Sequence, residues 1–246
     1  MAGHSKWANI KHRKGAADAQ RARQFTKFVK EIMVAVKLNG PDPQSNPRLR
    51  MAIQNAKGVS MPKDNIERAI KKASGADADN YAEVTYEGYA PHGVAVFVEC
   101  TTDNINRTVQ NVRSYFNKCG GSLGTNGSLQ FIFEHKGIFL IPAANLDEET
   151  LTLELIDVGA DDFESAEGYF NVSCPLEHFG AVQKKLEELQ IEAENAALQR
   201  IPNTWVKLGD EDLKKVIKLI DLLEEDDDVQ KVYHNLEISD AQMALI

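Results

Sequence analysis

Cysteine is scarce in this chain of 246 residues, where Cys100, Cys119 and Cys174 lie far apart and form no Cys-x-x-Cys pair. That argues against a disulfide framework and against a zinc knuckle, and it fits a reducing compartment. Long apolar runs are also missing. No segment approaches the roughly 20 apolar residues that a membrane-spanning helix needs. The N-terminus runs from Met1 through Trp7 into Lys11-His12-Arg13-Lys14 without the apolar core of a secretory signal. A soluble, cytoplasmic protein with no membrane partner is therefore expected. The histidines His4, His12, His92, His135, His178 and His234 show no metal-ligand spacing, so neither a metal nor a cofactor is expected.

What the chain has in quantity is charge, and the two signs are segregated. The total of 28 Lys plus Arg against 37 Asp plus Glu gives −9. Met1 to Gly75 nevertheless carries 16 cations against 5 anions, a net of +11, which leaves −20 for Ala76 to Ile246. Such asymmetry points to a polyanion-binding module joined to a region with another task.

The basic module opens with Gly3 to Lys14, too polar to pack by itself and read as a mobile arm. From Asp18 to Leu38, Phe25, Phe28, Val29, Ile32, Met33 and Val36 recur at helical spacing, and Asn39-Gly40-Pro41 is a stop. Arg23, Lys27, Lys30 and Lys37 fall opposite that stripe, which predicts a cationic solvent face. Pro47 opens a second helix that ends at Gly58, and Pro62 opens a third with Ile66, Ala69, Ile70 and Ala73 inward. The pair can be read as a helix-turn-helix or as an ordinary hairpin of a small bundle.

Beyond Asn80 the pattern is mixed. Val94 to Val98 reads as a buried strand, followed by a helix capped by Asp103. Leu129, Phe131 and Phe133 alternate as a strand, as do Ile138 to Ile141. Asn145 is placed to cap the next helix; Tyr169 to Cys174 and Ile191 to Leu198 read as strands flanking a helix opened by Pro175. Trp205 to Leu208, a helix from Glu211 and Val229 to Tyr233 complete an α+β series with helices on one face of open sheets. The acidic runs Asp161-Asp162 and Glu224 to Asp228 read as solvated element ends.

A catalytic signature is not evident. Gly120-Gly121-Ser122-Leu123-Gly124 matches a Gly-x-Ser-x-Gly nucleophile elbow in letters, but it follows a helix and precedes a strand, the reverse of what an elbow needs. Gly121, Gly124 and Gly127 lack the lysine of a phosphate loop. No catalytic residue is assigned, and a non-enzymatic protein is expected.

Three blocks then carry a resemblance. Gly3-His4-Ser5-Lys6-Trp7-Ala8-Asn9-Ile10-Lys11-His12-Arg13-Lys14 comes first, and Ser60-Met61-Pro62-Lys63-Asp64-Asn65-Ile66-Glu67-Arg68-Ala69-Ile70 second. The third joins Tyr86-Glu87-Gly88-Tyr89, Thr102-Asp103-Asn104, Asn106-Arg107-Thr108, and Gly120-Gly121 through Gly127-Ser128. Together they resemble the YebC-type family of transcriptional regulators and translational activators. Ala90 stands before Pro91 where that pattern leads one to expect glycine. The resemblance implies an N-terminal three-helix domain (1–78) followed by two α/β sandwich, ferredoxin-like domains. The middle one (79–135 plus 205–246) is discontinuous, and the third (136–204) is inserted into it.

The expected function is that of a non-enzymatic nucleic-acid-binding regulator, in the first instance a DNA-binding regulator of transcription. Lys6, Lys11, Arg13, Lys14, Arg21, Arg23, Lys27 and Lys30 are expected to neutralise phosphates, with Trp7 and His12 in the same arm and Lys63 and Arg68 on the third helix. Asn104, Asn106 and Arg107 form a second candidate anion contact, with helix capping as the alternative. The rival reading is a translation factor on ribosomal RNA, which suits Trp7 and a basic arm. A third is a scaffold whose acidic domains bind a protein partner. The sequence leaves the oligomeric state open.

Overall fold

The computed structural model describes residues 18–75, 80–166 and 168–243. Three helices come first. Helix α1 (Asp18–Asn39) stops at Gly40, whose φ of +88° closes a bond from its N–H to the Val36 carbonyl. Helix α2 (Pro47–Gly58) has proline in its first turn, where the missing N–H is no loss, and the Asn46 side chain caps it by accepting from the Leu49 N–H. Helix α3 (Lys63–Ala73) buries Ile66, Ala69 and Ala73. The expected solvent face of α1 is interrupted. Ile32, Met33, Val34, Ala35 and Val36 are all buried, so α1 has no open face along that turn and a half.

The chain divides into two compact units: the described residues of 1–31, 77–134 and 201–246, and those of 32–76 and 135–200. In the first, β1 (Ala82–Tyr89), β2 (Ala95–Thr102), β3 (Ser122–Leu123) and β9 (Val229–His234) form an antiparallel sheet in the order β3-β1-β2-β9. Helices α4 (Ile105–Lys118) and α7 (Asp210–Glu224) pack on one face, where Val112, Phe116, Leu213, Val216 and Ile220 meet Val96, Val98 and Cys100. The other face is covered too: Ala95, Phe97 and Tyr233 pack against Leu129 and Phe133, with the two phenylalanine rings edge-on at 6.3 Å. A strand buried on both sides has no polar face to show, which is why Val94 to Val98 is continuously apolar. Short strands β8 (Val206–Lys207) and β10 (Leu236–Glu237) pair in parallel, and α8 (Asp240–Met243) follows.

The second unit holds β4 (Phe133–Pro142), α5 (Glu148–Ile156), β5 (Asp162–Ala166), β6 (Tyr169–Pro175), α6 (Phe179–Glu188) and β7 (Asn195–Pro202). The βαββαβ succession and the sheet order β5-β6-β4-β7 are those of a ferredoxin-like sandwich. Phe139, Ile141, Phe170, Val172 and Cys174 of the sheet pack on Leu151, Leu155, Val182 and Leu186 of the helices. Helix α2 belongs to this unit: Asn55 bonds both backbone groups of Ala196 on β7, accepting from the N–H at 3.0 Å and donating to the carbonyl at 2.9 Å. The α+β class expected from sequence is the one observed.

Several boundaries are corrected. Gly127 to Ile132 forms turns rather than a strand, because Gly127 sits at φ +86° and the Glu87 carboxylate takes the N–H groups of Gly127 and Leu129 that a ladder would use. The α5 cap is Asp147, which accepts from Thr150, while Asn145 is a left-handed turn residue at φ +64°. The α4 cap is Asn104 rather than Asp103. The last strand of the second sheet spans Asn195–Pro202, not Ile191 to Leu198. Ala90 adopts φ −73°, open to any residue, and His92 takes the left-handed position at φ +63°, so that turn has no need of glycine at 90.

The Asn46 amide also donates to the Ala35 and Gly40 carbonyls, both at 2.8 Å, and the residue is fully buried. Asn46→Ala should therefore cost about 3 kcal/mol, from a lost cap and stranded buried carbonyls, as read by urea unfolding. A change under about 0.5 kcal/mol would mean that water replaces all three bonds.

Candidate nucleic-acid interface

The sequence predicts eight surface cations at the front of the chain. Lys6, Lys11, Arg13 and Lys14, with Trp7 and His12 among them, lie outside the described residues, as does the side chain of Arg21. The remaining three are engaged within the chain. Arg23 Nη1 stands 3.5 Å from Glu225 Oε1, and Lys27 Nζ donates to the Glu224 carbonyl at 3.0 Å. Lys30 is only 7% exposed. Its ammonium donates to the Thr101 carbonyl at 3.2 Å, the Asp227 carbonyl at 2.7 Å and Asp228 Oδ1 at 3.1 Å, and it lies 5.4 Å from the centre of the Tyr81 ring. An ammonium has three N–H groups, and all three are engaged. Lys30 is thus a buried structural cation, which corrects its expected place on a solvent face.

The acceptor side corrects a second expectation. Glu224 to Asp228, expected as a solvated run, is a folded turn on which α1, α4 and β2 converge. Asp228 is 4% exposed. Its Oδ2 accepts from Arg107 Nη2 at 2.6 Å, Arg107 Nε at 3.1 Å and Thr108 Oγ1 at 3.0 Å. Asp226 accepts from Asn111 and from the Tyr115 hydroxyl. Burial alone pushes the Asp228 carboxyl up, yet the hydrogen bonds from Arg107, Lys30 and Thr108 and the charge of Lys30 together hold it below the usual carboxylate range. Nearby, burial first and then the Asp226 and Asp228 charges push the Cys100 thiol up to about 12, so it stays protonated and inert.

Of the second candidate contact, Asn104 is the α4 cap, with Oδ1 accepting from the Arg107 N–H at 3.0 Å. The Arg107 guanidinium bonds Asp228 and, at 2.8 Å, Asp103. The geometry is the capping alternative, with a charge already met inside the chain. Two residues predicted separately, Lys30 and Arg107, do come together, but on a carboxylate of their own chain. Nothing local in the sequence links them to Asp228, more than a hundred residues downstream of either.

The cations of α3 are placed differently. Lys63 is strongly exposed and 3.3 Å from Glu67, one turn on. Arg68 is exposed and bonds only neutral groups, the Asp64 carbonyl and the Asn65 amide oxygen. Lys71 is exposed and has no partner among the described residues. In the sequence, Lys71 signals only its fit to the helix dipole. Its outward position follows from the burial of Ile66, Ala69 and Ala73 on the opposite edge.

Among the described residues no group of three His, Cys, Asp or Glu side chains could hold a metal ion, and no helix is long and apolar enough to cross a membrane. Ser122 of the Gly-x-Ser-x-Gly stretch lies in β3, after α4 rather than before a helix, so the strand-turn-helix of a nucleophile elbow is absent there.

Comparison with known proteins accounts for nearly the whole chain. Residues 5–76 match the TACO1/YebC protein N-terminal domain, and residues 81–236 match the TACO1/YebC second and third domain. A protein of Amoebophilus asiaticus named "probable transcriptional regulatory protein" is 59% identical over 96% of this chain and 98% of its own length. Another so named, from Geobacillus kaustophilus, is 50% identical over 97% and 98%. A crystal structure of a conserved hypothetical protein from Aquifex aeolicus superposes with a TM-score of 0.83 at 46% identity, covering 96% of this chain and 98% of that one.

The Asp228 cluster makes an acid-dependent prediction. A carboxylate whose folded pKa is depressed stabilises the fold fully above the ordinary value of about 3.9, and that contribution is lost as pH falls through the lowered value. Asp228→Asn, which strands two cations, should cost about 3 kcal/mol at pH 7 in urea unfolding. The gap between parent and variant should narrow once pH falls below the ordinary carboxylate value and close as Asp228 is protonated in the folded chain. A gap that does not change with pH would show that the charge of Asp228 is not what matters.

Proposed function

The chain belongs to the TACO1/YebC family, and from that premise we propose that it is a non-enzymatic nucleic-acid-binding regulator, acting on DNA to control transcription in the cytoplasm. The observation that carries this reading is the placement of its positive charge. Met1 to Gly75 holds a net of +11, and within that surplus the α1 residues Arg23, Lys27 and Lys30 meet carboxylates or backbone carbonyls of the same chain. Arg68 and Lys71 on α3 face no carboxylate. The contact surface in this reading is Lys6, Trp7, Lys11, His12, Arg13, Lys14 and Arg21 together with Lys63 and Arg68. The names borne by the bacterial relatives support the regulatory role. Three domains divide the work, with 1–78 binding the polyanion, 79–135 plus 205–246 as a discontinuous middle domain and 136–204 inserted. The net −20 of the remainder disfavours contact with a polyanion over most of its surface and suits a protein partner.

The competing reading, a translation factor on ribosomal RNA, draws on Trp7, whose indole suits stacking on an unpaired base. One set of measurements separates the two. With about six phosphates neutralised, log K for duplex DNA should fall with log salt at a slope of about −5, and removal of residues 1–17 should bring it to about −2. A flat slope rejects the DNA reading. Salt-resistant co-sedimentation with ribosomes that is lost with residues 1–14, and no affinity for duplex, would put the RNA reading in its place.

A further inference from the structure

From Asn104 to Phe133 the chain contains Arg107, Arg113 and Lys118 and not one Asp or Glu, although the region from Ala76 onward carries 32 acids against 12 cations. This acid-free stretch is α4, β3 and the loop into β4. It walls a cleft of about 420 Å³, a volume in the range of small-ligand sites, lined by Tyr86, Val109, Arg113, Asn117, Ser122 and Asn126. Val109, Arg113 and Asn117 are spaced four apart and so share one face of α4. The side chains of Arg113, Asn117, Ser122 and Asn126 have no hydrogen-bond or ion-pair partner among the described residues. Four polar groups converge there without being used by the fold.

The opposite wall is built before any ligand arrives. Ser122 and Leu123 pair with Tyr89 and Gly88, and the Gly124 N–H donates to the Glu87 carbonyl at 2.8 Å. The Glu87 carboxylate, 7% exposed, accepts from the Gly127 N–H at 2.7 Å and the Leu129 N–H at 2.6 Å, so its charge is taken up by the loop itself. A Cβ at Gly121 would sit 2.6 Å from the Tyr89 carbonyl, which is how the loop can lie so close to β1.

We propose that this cleft takes an unpaired nucleotide of a single-stranded nucleic acid. The inference rests on the nucleic-acid reading above and adds a second contact to it, in the otherwise acidic region of the chain. Arg113 is always charged and suits a phosphate. The carboxamides of Asn117 and Asn126 each present a donor and an acceptor, the pairing that base edges require. The Tyr86 ring and Val109 supply an apolar floor against which a base can lie. Absence of carboxylates along the wall admits an anion that the rest of this region would repel.

The test uses the full chain and fluorescence anisotropy with three probes of one sequence: single-stranded DNA, single-stranded RNA and duplex DNA. Arg113→Ala and Asn117→Ala alter exposed side chains that line the cleft, and unchanged melting temperatures verify their folding. Each should weaken a single strand about tenfold while leaving duplex affinity, carried by the N-terminal cations, within about twofold. Whichever single strand shows the larger loss identifies the sugar the site accepts. Parent-like single-strand affinity in both variants would overturn the cleft while leaving the DNA reading intact. Failure of the parent to bind any of the three probes would overturn both.

Discussion

A carboxylate removed from water must have its charge met, and Asp228 has it met by Lys30 of α1 and Arg107 of α4, with Thr108 completing its hydrogen bonds. This cluster organises the first unit. It fixes the start of β9, whose Val229 enters the sheet core one residue later, and it ties Thr101 of β2 to the same turn through the Asp228 carbonyl. Such an arrangement is costly to disrupt by halves, because removing one partner strands the others in a poorly solvated place. Under the proposed reading it also bears on function: Arg23, Lys27 and Lys30 are engaged within the fold, so binding would fall to the cations that precede α1 in the sequence and to those of α3.

Helices are legible in the sequence because their signals are local. Apolar spacing, Pro47 in a first turn and Gly40 at an end place α1, α2 and α3 with little error, and the caps of α4 and α5 are ambiguous only because two short polar residues stand near each start. Strand β1 gives no comparable signal. Its alternation, Ala82 to Tyr89, mixes glutamate and threonine with aromatics, and Glu87 is buried for a reason found only in the loop beyond β3. The turn at Gly127 to Ile132 mimics a strand because Leu129, Phe131 and Phe133 alternate. In fact Leu129 and Phe133 reach the core across turns, and Phe131 does not reach it at all.

The candidate site is legible in outline and misleading in detail for one reason: charge counts do not know about pairing. The excess of cations in the first 75 residues is plain from the sequence, but which of them remain exposed depends on carboxylates about two hundred residues away. Net charge likewise hides the opposite case. The acidic remainder contains a stretch with no acid in it, and that stretch becomes conspicuous only when α4 and the Gly120 to Phe133 loop are seen to face one cleft.

The contact between Asn55 and Ala196 has a further consequence. Strand β7 is the outer strand of its sheet, and its backbone would otherwise offer free donors and acceptors to any extended chain that drifted past. A side-chain amide from α2 occupies one such position in both senses, donating and accepting as a neighbouring strand would, and Gln54 takes the Ala193 carbonyl just before it. The helical segment thereby shields the sheet against intermolecular pairing. Loss of α2, by truncation or by melting, would convert a protected edge into a template for self-association, so the solubility of the second unit depends on residues outside the sandwich itself.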